Sequence, residues 1–80
     1  MTTTEQLYQV FAKAFEIPVE TVNDQLEYHG IAEWDSMSHL VLVSELENSY
    51  GISIDTEDVL EMGNVEKVKR ILQKYGIEIN

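Results

Sequence analysis

The sequence contains no cysteine in its 80 residues. This absence excludes a disulfide framework, a thiolate metal site and a catalytic thiol, and it fits a reducing compartment. No apolar stretch approaches the roughly 20 residues that a membrane-spanning helix needs. The N-terminal residues also lack the basic segment and apolar run of a secretory signal. The sequence therefore predicts a soluble, cytoplasmic protein.

Basic residues are missing from the middle of the chain. Thirteen acidic residues and no lysine or arginine lie between Ala14 and Glu66, and the net charge of the whole chain is −10. Nucleic-acid binding requires basic surface that neutralises phosphates, so this charge pattern argues against it. An anionic membrane surface would repel the chain, whereas a basic protein partner would be attracted to it.

The remaining composition predicts one small helical domain. An apolar content of 44% supplies a single core and argues against disorder. Hydrophobic residues at helical spacing predict helices over about residues 4–15, 36–50, 56–61 and 65–75. The expected caps are Thr2 (paired with Glu5) or Thr4, Asp55 and Asn64 at helix starts, and Gly51 and Gly76 at helix ends. We therefore predict an all-α fold with three longer helices and one short helix.

A loop of about 20 residues, from 16 to 35, separates the first two helices. Pro18 ends the first helix and is suited to begin a short turn over residues 18–23. Ile17, Leu26 and Ile31 are expected to pin this loop to the core. Long loops that persist in small domains usually carry function, so the loop is a candidate part of a site.

Asp35 and Ser36 stand where the second helix begins. Unpaired backbone N–H groups and the helix dipole favour a negative group there, so the Ser36 hydroxyl lies beside a site able to hold a phosphate. Serine and aspartate are also preferred N-caps, which is a purely structural interpretation. Ser36, His39 and Asp35 have the residue types of a hydrolytic triad. Their spacing and the absence of a strand-to-helix nucleophile elbow argue against catalysis.

The acidic residues near the third helix partly match the spacing of a calcium-binding loop. Asp55, Glu57 and Glu66 fall at the first, third and twelfth places of an EF-hand frame. Val59 and Leu60 then occupy the fifth and sixth places, where that loop needs a ligand and a glycine. The sequence therefore predicts no metal site.

The chain resembles an acyl carrier protein over essentially its whole length. The resemblance rests on Asp35-Ser36-Met37 opening an amphipathic helix after a long loop, on the run VLVSELENSYGISI, on the short acidic helix and on the final NVEKVKRIL helix. Family members usually have Asp-Ser-Leu, and Met37 is a volume-conserving change. The resemblance implies one acyl carrier domain over residues 1–80, folded as a small four-helix bundle without catalytic activity.

The resemblance also implies a cofactor and a set of partners. A phosphopantetheinyl transferase would attach 4′-phosphopantetheine from coenzyme A to Ser36, with Asp35 and Met37 flanking the attachment site. The thiol of this arm would hold acyl groups as thioesters, which gives a cysteine-free chain an imported thiol. Acyl-loading and acyl-transferring enzymes with basic docking patches would be the partners of a monomeric carrier. The core contains enough Leu, Val and Ile to shelter an acyl chain, as small members of the family often do.

The second helix is the recognition helix that the resemblance implies. Met37, Val41, Ser44 and Asn48 share one exposed stripe, where fatty-acid carriers often have glutamates at the positions of Val41 and Asn48. We therefore predict that Met37 and Val41 form an apolar docking patch with Leu40 on its flank. The complete set of predicted partner-binding residues is Met37, Leu40, Val41, Glu45, Glu47, Asp55, Glu57 and Asp58.

Several cargoes are compatible with these residues. The less acidic stripe favours a specialised lipid or secondary-metabolite pathway, such as polyketide synthesis, over housekeeping fatty-acid synthesis. D-alanyl carriers share Asp-Ser-Met, whereas peptidyl carriers have Gly-Gly-His/Asp-Ser, which differs from Glu33-Trp34-Asp35 here. An unmodified helical protein-interaction module, which would not need the Ser36 hydroxyl, is the alternative from another class. Trp34 is expected to contact the arm or a partner, or to act as a half-buried anchor of the loop.

Overall fold

The computed structural model describes residues 3–79 of the chain. They form the helices α1 (Thr4–Phe15), α2 (Ser36–Tyr50), α3 (Thr56–Glu61) and α4 (Val65–Lys74), with a short 3-10 helix over Val19–Thr21. Within this range there is no β-strand, and an isolated antiparallel bridge pairs Glu27 with Asn64. The predicted all-α fold is confirmed, and all four helices agree with their predicted limits to within one residue.

Helix α1 begins with a reciprocal capping box. The Thr3 hydroxyl accepts a hydrogen bond from the Gln6 N–H, and the Gln6 side chain accepts one from the Thr3 N–H. Thr4, one of the two predicted caps, is already the first helical residue, so that prediction was wrong. Thr2, the other predicted cap, lies outside the described residues. Three adjacent threonines made the register of this cap ambiguous in the sequence.

Gly51 follows the last residue of α2 and caps it in the left-handed conformation, with φ of 65°. Nothing lies within 4 Å of a β-carbon added there. The cost of Gly51→Ala is therefore conformational, and we expect a loss of about 1 kcal/mol in the free energy of unfolding. Gly63→Ala is the control, because its added β-carbon meets only Lys67 at ordinary contact distance and its φ is not positive. Urea denaturation measures both, and equal losses in the two variants would contradict the prediction.

The hydrophobic core joins the helices to the long loop. Helix α1 contributes Leu7, Phe11 and Phe15, and α2 contributes Leu42, Val43 and Leu46. The other buried hydrophobic residues are Val22, Leu26, Trp34, Met62, Val65, Val68 and Leu72. Ile17 and Ile31 are half-buried and pack against this core. The loop is therefore attached to the core at Leu26, as predicted, and also at Val22 and Trp34.

A polar network fastens the loop to α1 and α4. Asp24 Oδ1 accepts a hydrogen bond from the Tyr8 hydroxyl at 2.6 Å and lies 2.6 Å from Lys69 Nζ. The hydrogen bond from Lys69, then that from Tyr8, holds the pKa of Asp24 below its usual value. Burial, followed by the hydrogen bond to Asp24, raises the pKa of Tyr8 to about 12. Both groups therefore keep their bonding forms at neutral pH.

A second polar network fastens α3 to α4. The Asp58 side chain is buried, and its two oxygens accept hydrogen bonds from Lys74 Nζ at 2.5 Å and from the Tyr75 hydroxyl at 2.6 Å. The Tyr75 hydroxyl oxygen in turn accepts the N–H of Asp55 at 2.9 Å. The hydrogen bond from Lys74, then that from Tyr75, holds the pKa of Asp58 below its usual value.

Acid is expected to destabilise the fold through these two carboxylates. The pKa of Asp24 and of Asp58 is lower in the folded chain than the usual 3.8. Their stabilising contribution is therefore complete above that value and is lost as the pH falls through the folded pKa. Asp58→Asn should lower the thermal midpoint at neutral pH and reduce its change between about pH 6 and pH 2.5. Circular dichroism melts test this, and parallel curves for the variant and the wild type would contradict it.

Candidate functional site

Ser36 is the exposed first residue of α2, and Asp35 is the N-cap before it. Asp35 Oδ1 accepts the N–H of Ser38 at 2.9 Å, and this bond is the main reason that the pKa of Asp35 lies below its usual value. Asp35 is therefore a carboxylate at neutral pH and supplies the cap. The Ser36 hydroxyl is not needed for capping, so the interpretation of this serine as the helix cap is wrong.

Tyr28 lies beside Ser36, with its Oη 2.9 Å from Ser36 Oγ. The Tyr28 N–H donates to the Gly63 carbonyl at 3.0 Å, which ties this part of the loop to the residues before α4. Nothing in the sequence indicated this contact. A tyrosine in an irregular loop, eight residues before the serine, gives no periodic signal that could have placed it there.

His39 connects the loop and α3 to α2. The indole N–H of Trp34 donates to His39 Nδ1 at 2.9 Å, and an indole nitrogen can only donate. His39 Nδ1 is therefore an acceptor, and Nε2 donates to the Val59 carbonyl at 2.8 Å. Both ring nitrogens are engaged, which leaves neither to serve as a general base for Ser36. This arrangement removes the hydrolytic triad that the residue types allowed.

Trp34 is a core residue. Its side chain is fully buried, and its ring centroid lies 5.0 Å from that of Phe15 and 5.7 Å from that of Phe11. The expectation that Trp34 contacts the arm or a partner is therefore wrong. It anchors the loop, as the other expectation held, but it is completely rather than half buried.

The outer face of α2 next to Ser36 is apolar. The exposed fraction is 80% for Met37, 63% for Leu40 and 48% for Val41, and these three residues are called the apolar patch below. Ser44 and Asn48, which continue the predicted stripe, are also exposed. The structure thus presents the stripe to solvent as the helical periodicity predicts. Leu60 of α3 is 81% exposed as well, and it was not among the predicted partner-binding residues.

Two predicted partner-binding glutamates of α2 have contacts within the chain. Glu45 is half-buried and lies 3.3 Å from Lys13 Nζ of α1. Glu47 is also half-buried, and its Oε2 accepts the N–H of Ile54 at 2.9 Å, which fixes the segment between α2 and α3. Glu47 therefore has a role in the fold that its sequence position did not show.

The predicted acidic residues of α3 differ in their exposure. Asp55 and Glu57 are exposed, whereas Asp58 is buried against Lys74 and Tyr75. The inclusion of Asp58 among the partner-binding residues is corrected, because its carboxylate already joins α3 to α4. Its bonding partners lie 16 and 17 residues further along the chain, so local sequence could not reveal them.

A surface groove of about 510 Å³ lies at the other end of α2. Its walls include Val10, Tyr50 and Ile77. Tyr50 ends α2 and Ser36 begins it, so the two are separated by roughly 20 Å along the helix. The groove is therefore remote from the Ser36 hydroxyl.

Comparisons with known proteins place this geometry in a family. Residues 5–72 match the family model described as phosphopantetheine attachment site. A solution NMR structure of the holo acyl carrier protein from Geobacter metallireducens matches with a TM-score of 0.77 and 24% identity, over 88% of this chain and 80% of that chain. The comparison with curated proteins finds no match. Among the helices of residues 3–79, none has the length and apolar character to cross a membrane. The match over residues 5–72 covers most of the chain, which therefore belongs to the family of phosphopantetheine attachment sites.

Proposed function

We propose that this protein carries acyl groups as thioesters on a 4′-phosphopantetheine arm attached to Ser36. The observation that supports this proposal is an exposed serine hydroxyl, free of any capping role, at the start of a helix inside the matched region. A phosphate on Ser36 would lie at the positive end of the α2 dipole. The residues present therefore fit the group.

Ser36 and the residues around it have separate roles in the proposed carrier. When bound, the arm supplies a flexible tether that ends in a thiol, the group that this cysteine-free chain lacks. Ser36 forms the ester bond to the phosphate, and Asp35 fixes the first turn of α2. His39 is engaged at both nitrogens and is therefore not available as a general base for Ser36. This geometry supports a carrier rather than an enzyme.

The cargo and pathway are part of the same proposal. The apolar patch, together with neutral Ser44 and Asn48, supports a carrier of a specialised lipid or polyketide pathway rather than a housekeeping fatty-acid carrier. A D-alanyl or other aminoacyl carrier is the alternative, supported by Asp35-Ser36-Met37. Incubation of the holo protein with acyl-loading and aminoacyl-loading ligases, followed by intact mass measurement, separates these cargoes. A monomeric state, which the resemblance implies, and a cytoplasmic location stay predictions.

The apolar patch is proposed as the surface on which partner enzymes dock. Asp55 and Glu57, two exposed acidic residues at the start of α3, are proposed to attract basic partners.

Val41→Glu places a charge within the patch. It should weaken the binding of apo protein to a phosphopantetheinyl transferase roughly fivefold to tenfold, because the new charge loses water in the complex. Asn48→Glu is the matched control, since it adds the same charge to the same stripe outside the patch. Unchanged affinity and unchanged acyl loading in Val41→Glu would contradict the docking proposal.

The first experiment on the carrier function measures intact mass after incubation with coenzyme A, Mg²⁺ and a broad-specificity phosphopantetheinyl transferase. We expect a gain of one phosphopantetheine. A glutamate-specific protease then releases residues 34–45, which contain Ser36, Ser38 and Ser44, so fragmentation identifies the modified serine. No gain with several transferases would favour the unmodified interaction module.

A further inference from the structure

Backbone hydrogen bonds of the loop fix the position of Tyr28 beside Ser36. Beyond the hydrogen bond from Tyr28 N–H to Gly63, the Gly30 N–H donates to the Glu27 carbonyl at 2.8 Å and closes a tight turn around the tyrosine. A β-carbon at Gly30 would lie 2.9 Å from that carbonyl oxygen, so the turn requires glycine there. The backbone thus fixes the position from which the tyrosine reaches Ser36.

The Tyr28 ring is also held by two imidazole rings. Its centroid lies 4.1 Å from that of His29 and 5.3 Å from that of His39, with interplanar angles of 85° and 63°. His39 is immobilised by its bonds to Trp34 and Val59. Because the His39 ring is anchored in this way, the Tyr28 ring that packs against it has a defined orientation. About one third of Tyr28, 37%, stays exposed, so a partner enzyme can reach the pair of hydroxyl groups.

The charge around Ser36 makes a neutral donor valuable. The chain has no lysine or arginine between Ala14 and Glu66, and the Asp35 carboxylate adjoins Ser36 and already accepts the N–H of Ser38. A phosphodiester on Ser36 would add a second negative charge at the same helix end. A phenol O–H stabilises such an anion through a hydrogen bond to a charged acceptor.

The loss of the Ser36 proton on phosphopantetheine transfer determines the direction of the hydrogen bond between Tyr28 and Ser36. In the apo protein, either Tyr28 or Ser36 can donate. Transfer forms a bond between Ser36 Oγ and the phosphorus of coenzyme A that bears the pantetheine. The bond from that phosphorus to the bridging oxygen breaks, adenosine 3′,5′-bisphosphate leaves, and the Ser36 proton passes to a base of the transferase. Ser36 Oγ then has no proton, so Tyr28 is the donor of any hydrogen bond within the pair.

We propose that Tyr28 is a positioning residue of the attachment site. It orients the Ser36 hydroxyl for phosphopantetheine transfer, and it then donates its hydrogen bond to the resulting phosphate ester. This inference rests on the proposed carrier function of Ser36. It assigns to the loop a direct part in the modification of the serine, in addition to its packing on the core.

The variant Tyr28→Phe tests the proposal, because it keeps the ring against His29 and His39 and removes only the hydroxyl. Tyr50→Phe, at the far end of α2, is the matched control. We expect Tyr28→Phe to lower kcat/KM for transfer from coenzyme A about two- to tenfold, the range that the loss of one hydrogen bond predicts. In the holo proteins, the ³¹P resonance of the phosphodiester should shift in Tyr28→Phe and stay in place in Tyr50→Phe. The thermal midpoints of both variants should match that of the wild type.

Each outcome decides between distinct conclusions. A wild-type protein that gains no phosphopantetheine removes the carrier function and this inference with it. Normal modification of the wild type, with Tyr28→Phe equal to it in both rate and ³¹P shift, overturns the role of Tyr28 alone. A slower transfer in Tyr28→Phe that is matched by Tyr50→Phe also overturns it, because the loss would then not be specific to the site.

Discussion

Ser36→Ala is expected to abolish phosphopantetheine attachment and to leave the fold intact. The alanine has no oxygen with which to form the phosphate ester, so the mass gain should disappear. The free energy of unfolding should change by no more than about 0.5 kcal/mol, because Asp35 supplies the cap and alanine is a better helix former than serine. Intact mass and urea denaturation measure the two halves of this prediction on the same samples.

Two further variants make the Ser36 result specific. Ser44→Ala removes an exposed hydroxyl from the same helix and should gain phosphopantetheine at the wild-type rate. Asp35→Ala removes the cap of α2 and should destabilise the fold, which Ser36→Ala should not do. A mass gain in Ser36→Ala would exclude this serine as the attachment site. A loss of stability equal to that of Asp35→Ala would instead make its hydroxyl structural.

The helices were predictable because local chemistry marks their ends. Asp35 and Asn64 cap α2 and α4 through hydrogen bonds to backbone N–H groups three residues on, and Gly51 supplies the left-handed residue that ends α2. These signals depend on neighbours within one helical turn, so a single sequence contains them. The position of Ser36 at the start of α2 could be predicted for the same reason.

The interactions that shape the site depend on residues far apart in the chain. Trp34 is buried against Phe11 and Phe15, about 20 residues before it, and no helical period extends through the loop to indicate this. The Tyr28 hydroxyl meets Ser36 only after the loop folds back toward the start of α4. Sequence reasoning therefore located the serine and missed the tyrosine beside it, because tertiary structure alone brings the two together.

Trp34→Ala is expected to lower the free energy of unfolding by about 3–5 kcal/mol. The side chain is fully buried, its ring contacts Phe11 and Phe15, and its N–H donates to His39. A chain of this length has roughly 4–12 kcal/mol of stability in total, so the variant would lose a large share of it. Urea denaturation gives the value, and a loss below about 1 kcal/mol would show that Trp34 is not the anchor of the loop.

Trp34→Phe separates the packing of this residue from its hydrogen bond. Phenylalanine keeps an aromatic ring in the core but leaves His39 Nδ1 without a donor, at an expected cost of about 1–3 kcal/mol. The hydrogen bond to the Val59 carbonyl would then be the remaining bond of the His39 ring. The Tyr28 ring packs on His39, so its position would also become less fixed. We therefore expect slower phosphopantetheine transfer in Trp34→Phe, although the Trp34 side chain is buried away from solvent. Transfer at the wild-type rate in a measurably destabilised Trp34→Phe would show that the loop anchor and the Ser36 site are independent.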